Sequence, residues 1–131
     1  MKIKVIIEKN KTGLFSAYVE NDLPGFDLNG QGYTVEDAKN EMLVVYEEMK
    51  ELLVEEDKDI PVLEFEYKYD IPSLFNEFDM INISKFAKSI GLNPSLIRRY
   101  ACGEIYASEK QCLRIKEGLD ALGKRLQSAS V

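Results

Sequence analysis

The chain has 131 residues, 45% of them hydrophobic and 31% charged, with a formal net charge of −6. That composition supplies enough apolar surface for a packed core, which excludes a disordered chain, and the length suits one domain of ordinary size or two small ones. There is no histidine, which removes the commonest general base, the commonest metal ligand and every Ser-His or Cys-His nucleophile pair, so an enzyme built on this chain would have to run on carboxylates. No run approaches the roughly 20 apolar residues that span a bilayer, and Met1-Lys2-Ile3-Lys4-Val5 alternates where a secretory signal would build an apolar segment. A cytoplasmic protein without a membrane partner is expected. Cys102 and Cys112 are too few and too far apart for a disulfide framework or a CxxC pair, and within helical patterns they read as small buried hydrophobes. No cofactor or metal is expected.

The acidity is unevenly spread. Residues 1–78 carry eight basic and eighteen acidic side chains, a net of −10, whereas residues 79–131 carry nine basic and five acidic, a net of +4. A half that repels polyanions is joined to a half that attracts them, which implies two modules with different partners.

In the acidic half, residues 2–8 alternate with Ile3, Val5 and Ile7 on one side, the period of a half-buried strand. A turn through residues 9–13 leads to a second run over residues 14–20 with Phe15, Ala17 and Val19 on one face, so the pair reads as an antiparallel hairpin. Pro24 and Gly25 suit the centre of a type II turn. A short third strand is predicted over residues 26–29, stopped by Gly30-Gln31-Gly32. Thr34-Val35-Glu36-Asp37 has the spacing of a capping box. Ala38, Met42, Val45, Met49 and Leu52 then form one apolar stripe along a helix that should pack on the sheet. A last strand over residues 63–69 is aromatic on one face and charged on the other. The acidic run 55–59 either follows a helix that stops near Leu53 or sits at its C-terminus against the macrodipole; in the second case it would favour a basic partner.

The order of elements, with Phe15-Ser16-Ala17-Tyr18-Val19-Glu20, then Asp22-Leu23-Pro24-Gly25, then Thr34-Val35-Glu36-Asp37-Ala38, resembles the HicB antitoxin family. The resemblance implies a cut-down RNase H-like domain without working catalytic acids, which binds and sequesters a small basic HicA-like toxin that cleaves mRNA. Phe26 stands where the family pattern often has a cysteine after the Pro-Gly, and an apolar residue there suits the start of a strand. A metal-dependent nuclease would need several carboxylates converging on a point. Glu8, Glu20, Asp22 and Asp27 are the residues to consider, and they read instead as solvated strand ends.

In the basic half, residues 73–78 form a short apolar helix, read as the first of a small bundle, and the strongest motif follows. Two steeply crossed helices need a small residue at their contact, a residue tolerant of positive φ at the turn, and apolar side chains filling the angle. Ala87, Gly91 and the set Phe86, Ile90, Leu92, Ile97 and Tyr100 meet these needs in turn. Asn93 is a good N-cap and Pro94 a good first residue for the second helix. From Ile83 to Gly103, and through Ser108 into a last helix, the chain resembles the Cro/repressor-type helix-turn-helix family, whose second helix enters the DNA major groove.

That resemblance directs Asn93, Ser95, Arg98 and Arg99 toward the bases, with Lys85, Lys88, Lys110 and Arg114 as contacts to the phosphate backbone. Which arginine meets a base stays open, as does the role of Tyr106, phosphate donor or packed loop anchor. Cys112, Ile115, Leu119, Leu122 and Leu126 make a second stripe on a helix that starts near Glu109 and outruns the core it closes. Its end is a natural place for a second subunit, so a homodimer or higher even oligomer on a palindromic operator is expected, with half-sites roughly 34 Å apart or a multiple of it.

The expected class is therefore α+β: a small β-β-β-α-β partial RNase H-like toxin-binding domain over residues 1–70, then an all-α helix-turn-helix domain over residues 71–131. The expected function is that of an antitoxin in a type II toxin-antitoxin pair, acting by occlusion rather than catalysis and repressing its own operon through operator double-stranded DNA. The alternatives are a free-standing helix-turn-helix regulator whose N-terminal domain senses another protein or a ligand, and an RNase H-like nuclease dependent on Asp22 or Asp27.

Overall fold

Alternation in the first nine residues becomes β1 (Lys2–Lys9), in which Ile3, Val5 and Ile7 are fully buried. In the computed structural model, which describes residues 1–21, 23, 26–58 and 62–131, the chain divides into two compact units, Met1–Glu77 and Phe78–Val131. It is a mixed α/β protein with one four-stranded sheet and five helices among the described residues. No helix among the described residues is long and apolar enough to cross a membrane.

In the first unit β1 pairs antiparallel with β2 (Phe15–Val19), in a register that sets Ile7 opposite Ala17 and Val5 opposite Val19. The hairpin is as the alternation requires. Its turn is held by Asn10, whose Oδ1 accepts from the backbone of Thr12 at 3.1 Å and of Leu14 at 3.0 Å. The third strand is not where it was expected. It is β3 (Asn29–Gly32), shifted onto the glycines that were read as its stop, and it pairs antiparallel with β2. The expected type II turn at Pro24-Gly25, like Asp22 and Asp59, lies outside the described residues.

The shift has a steric cause. The long helix α1 (Val35–Glu55) crosses β3 so closely that a Cβ on Gly30 would stand 2.3 Å from the Ala38 carbonyl oxygen and 2.6 Å from the Met42 nitrogen. A Cβ on Gly32 would stand 2.5 Å from the Asp37 Cβ. Glycine is weak in strands on propensity alone, but here it is what lets helix and strand backbones touch.

Thr34 caps α1, its hydroxyl accepting from Asp37 N at 3.0 Å. The buried face is Val35, Ala38, Met42 and Tyr46. The expected stripe ran on through Val45, Met49 and Leu52, yet Val45 and Met49 are half-buried and Leu52 is 44% exposed. A helix of 3.6 residues per turn drifts off a strict three-four repeat, and the aromatic ring of Tyr46 takes the inward place, edge-on to Phe65 at 5.4 Å. The helix runs past Leu53 to Glu55, so Glu55, Glu56 and Asp57 do oppose the macrodipole.

β4 (Glu64–Tyr69) lies on the other side of β1 and parallel to it, giving the order β3-β2-β1-β4. Its register sets Phe65, Tyr67 and Tyr69 beside Ile3, Val5 and Ile7 on the face covered by α1. The short helix α2 (Ile71–Glu77) was expected to open the C-terminal bundle. It packs instead on β1, β4 and α1, in the first unit. Polar ties explain this. Asp70 accepts from Lys9 N and from Ser73 N, each at 2.9 Å, joining the end of β1 to the first turn of α2. Asn76 Oδ1 accepts from Val35 N at 2.9 Å.

Lys39 completes the junction. Its ammonium donates to Tyr69 Oη at 2.6 Å, lies 3.4 Å from Glu77 and sits 4.1 Å from the centre of the Tyr67 ring. Burial works to lower its pKa, but the Tyr69 hydrogen bond with the Tyr69 and Glu77 charges outweighs burial, and the pKa is raised. Tyr67 is raised too, chiefly by burial. Ser73 is fully buried beside this junction, and its hydroxyl has no hydrogen-bond partner among the described residues.

The second unit holds three helices: α3 (Ile83–Ser89), α4 (Pro94–Ala101) and α5 (Glu109–Ser128). Its core is Phe86, Ala87, Leu92, Ile97, Tyr100 and Ile115. Of the expected stripe on α5, Ile115 is buried, Leu119 and Leu122 are half-buried, and Leu126 is 66% exposed. Gly118 was not anticipated. A Cβ there would stand 2.3 Å from the Ile90 Cγ2, so its lack of a side chain seats α3 on α5.

Candidate nucleic-acid interface

The corner between α3 and α4 is built by backbone chemistry that the residue types dictate. Asn82 caps α3, accepting from Lys85 N at 2.9 Å. The helix ends at Ile90, and Gly91 takes φ 74°, where a side chain would be strained. Leu92 N then bonds to Ala87 O at 2.9 Å and Gly91 N to Lys88 O at 3.2 Å, the paired bonds of a Schellman turn. Leu92 and Ala87, joined by that turn, are both buried. Asn93 and Pro94 start α4 as expected, Asn93 Oδ1 accepting from Ser95 N at 2.8 Å.

Ile97 and Tyr100 anchor α4 inward, which leaves Asn93, Ser95, Arg98 and Arg99 exposed. They differ in what they are free to do. Asn93 is occupied as the N-cap. Arg98 donates to Ser84 Oγ at 2.5 Å and to Ser95 Oγ at 3.3 Å. Arg99 Nε lies 3.3 Å from a carboxylate oxygen of Glu104. Ser95, Arg98, Arg99 and Glu104 line an open concavity of about 630 Å³ together with Ile83, Ala101 and Cys102.

Of the expected phosphate contacts, Lys85 and Lys88 on α3 and Lys110 on α5 are exposed. Arg114, the fourth, is already engaged within the unit. It is half-buried and donates to Ile90 O at 2.9 Å and to Gly91 O at 3.5 Å, supplying a cation and donors to the C-terminal end of α3. Tyr106 is 88% exposed and so is not a packed anchor. Both cysteines are exposed, against the expectation that they are buried. Cys102 is the C-cap of α4, past the inward positions Ile97 and Tyr100, and Cys112 lies in the first turn of α5, outside the packed stretch around Ile115.

Ser84 and Glu104 escaped the sequence reading. Glu104 had a readable signal: Gly103, at φ 80°, ends α4 just as Gly91 ends α3, and such a turn folds the next residue back beside the residue five places earlier. Ser84 had none, because its contact depends on how two helices cross.

In the first unit Glu8, Glu20 and Asp27 are exposed. Glu8 accepts from Tyr18 Oη at 3.1 Å, and Tyr18, mainly through desolvation and then through Glu8, has a raised pKa. Glu20 lies 3.9 Å from Lys4. No group of three or more metal-ligating side chains occurs among the described residues. Glu36, Asp37, Glu41, Glu47, Glu48, Glu51 and Glu55 are exposed along α1, while its two lysines are engaged, Lys39 in the α2 junction and Lys50 with Glu47 at 2.8 Å. The outer face of α1 is therefore anionic.

Comparison with family models, with curated proteins and with solved structures finds no match for this chain.

Proposed function

We propose that the chain is an antitoxin of the HicB type, whose first unit masks a small basic RNA-cleaving toxin and whose second unit represses the operon through a helix-turn-helix. The observation that carries this reading is the α3–α4 corner. Gly91 supplies the left-handed turn, Ala87 and Leu92 the close contact, and Ile97 and Tyr100 the inward anchors that leave Arg98 and Arg99 outward. An outward guanidinium pair on a short second helix is suited to base edges and phosphates in a major groove. The anionic face of α1 supports the other half of the reading, since a surface that binds RNA is basic and is covered best by carboxylates. Neutralisation is by occlusion and involves no bond-making.

A dimer on a two-fold operator fits the exposed end of α5, where Leu126 lies beyond the core, and the modest positive charge of one second unit. The site is cytoplasmic in this reading. The test is co-expression of the whole chain with any small basic protein encoded beside its gene. Growth rescue and co-purification are expected, with rescue retained and promoter repression lost in Arg98→Ala/Arg99→Ala. Repression without any effect on the neighbouring protein would instead favour a free-standing regulator.

A further inference from the structure

The two outward arginines of α4 are held by different chemistry. Arg98 is oriented by two neutral hydroxyls, those of Ser84 and Ser95, which consume two of its five N–H donors, and no carboxylate pairs with it among the described residues. Arg99 faces a carboxylate. The backbone brings the residue that carries it beside Arg99: Glu104 N bonds to Arg99 O at 3.1 Å and Gly103 N to Tyr100 O at 3.1 Å, the same kind of turn that ends α3. At α3 the two residues the turn brings together are Ala87 and Leu92, both buried; at α4 they are Arg99 and Glu104, 51% and 58% exposed. A contact that is commonly apolar has become an ion pair on the face proposed to meet DNA.

We propose that Glu104 is a built-in competitor for Arg99, occupying its guanidinium until a duplex phosphate displaces the carboxylate, while Arg98, held only by hydroxyls, is presented to a base edge. This rests on the reading of α3 and α4 as a DNA-binding corner and assigns the two arginines within it. An exposed pair of this kind is weak, so a correctly placed phosphate can break it. The competition therefore lowers affinity for every duplex alike and leaves sequence preference to Arg98. It restrains non-specific binding, most of which comes from phosphate contacts.

The test measures binding of the whole chain to a duplex from its own upstream region and to an unrelated duplex of equal length, across a salt series. Glu104→Gln is expected to tighten both by a similar factor, roughly two- to five-fold at low salt, and to steepen the salt dependence by up to about 0.9 in log–log slope. In an Arg99→Ala background the same substitution should change nothing. Asp120→Asn, which releases Lys116 from a comparable exposed pair at 3.2 Å on α5, should give no comparable gain. Arg98→Ala should abolish the preference for the upstream duplex, whereas Arg99→Ala should weaken both duplexes together. A gain from Glu104→Gln that persists without Arg99, that Asp120→Asn matches, or that is confined to one duplex overturns the assignment. Failure of the unaltered chain to bind either duplex overturns the DNA-binding reading itself.

Discussion

Asn76 Oδ1 accepts from Val35 N at 2.9 Å, so a residue of α2 satisfies one of the free N–H groups at the start of α1, 41 positions earlier in the chain. Helix starts commonly satisfy these groups from their own preceding side chains, as Thr34 also does here. The bond makes α2 part of the first unit. Asn76→Ala should cost about 1 kcal/mol of stability in urea unfolding. Hydrogen exchange should show the loss concentrated in α2 and the first turn of α1. Unchanged exchange at Val35 would mean the bond contributes nothing.

Lys39 gives the same unit a pH signature. Its folded pKa is raised above the ordinary 10.5, so its contribution is complete below that value and is lost as pH rises through the folded pKa. Tyr67, raised from 10.0, acts in the same direction because its neutral form is the one favoured by the fold. Stability should therefore fall on the alkaline side of about pH 10. Lys39→Met should lower stability at neutral pH by about 1–3 kcal/mol, since it leaves Glu77 half-buried without its cation, and should flatten the alkaline decline. Because the Lys39 charge holds the Tyr67 pKa down, the comparison is made in a Tyr67→Phe background, where a parallel decline would show that Lys39 does not contribute to it.

Three helices end in the same backbone turn, and one of them uses an unusual residue. Gly91 and Gly103 occupy the left-handed position after α3 and α4, but after α1 that position is Asp57, at φ 55°. The bonds are the same: Lys58 N to Leu53 O at 2.9 Å and Asp57 N to Val54 O at 3.1 Å. Asp57 thus bears both left-handed strain and a negative charge at a helix C-terminus. Asp57→Gly should stabilise the protein by about 1 kcal/mol. Asp57→Ala, which relieves the charge but keeps the strain, should gain much less. Calorimetric midpoints of the two variants separate these contributions.

The glycines of β3 should tolerate nothing larger. Gly30→Ala puts a methyl against helix backbone that cannot rotate away, and a loss of about 3 kcal/mol or more is expected from chemical denaturation. Gly13, with φ 89° and open space around its Cβ position, should lose only the smaller cost of left-handed backbone on substitution to alanine, about 1 kcal/mol.

Where a residue's role is set by its immediate neighbours in sequence, it could be read in advance. The β1–β2 hairpin, the Thr34 cap, the Gly91 turn and the Asn93-Pro94 start of α4 are of this kind. Roles set by tertiary approach could not be. The third strand was misplaced because glycine signals a break unless a helix lies close enough to require it. Arg114 looked like a free cation on a basic surface, and only the crossing of α5 behind α3 turns it toward the carbonyls of Ile90 and Gly91. Asn76 and Glu77 lay in a segment read as part of another bundle, because their partners Val35 and Lys39 are far away in the chain.

The proposed division between a unit that masks a basic protein and a unit that grips DNA is tested most directly by the affinity ratio of the whole chain for its own upstream duplex over an unrelated one, measured at moderate ionic strength. A preference of roughly 10³ or more is expected for an operator-binding protein, falling toward unity in Arg98→Ala. Equal affinity of the unaltered chain for the two duplexes would contradict it.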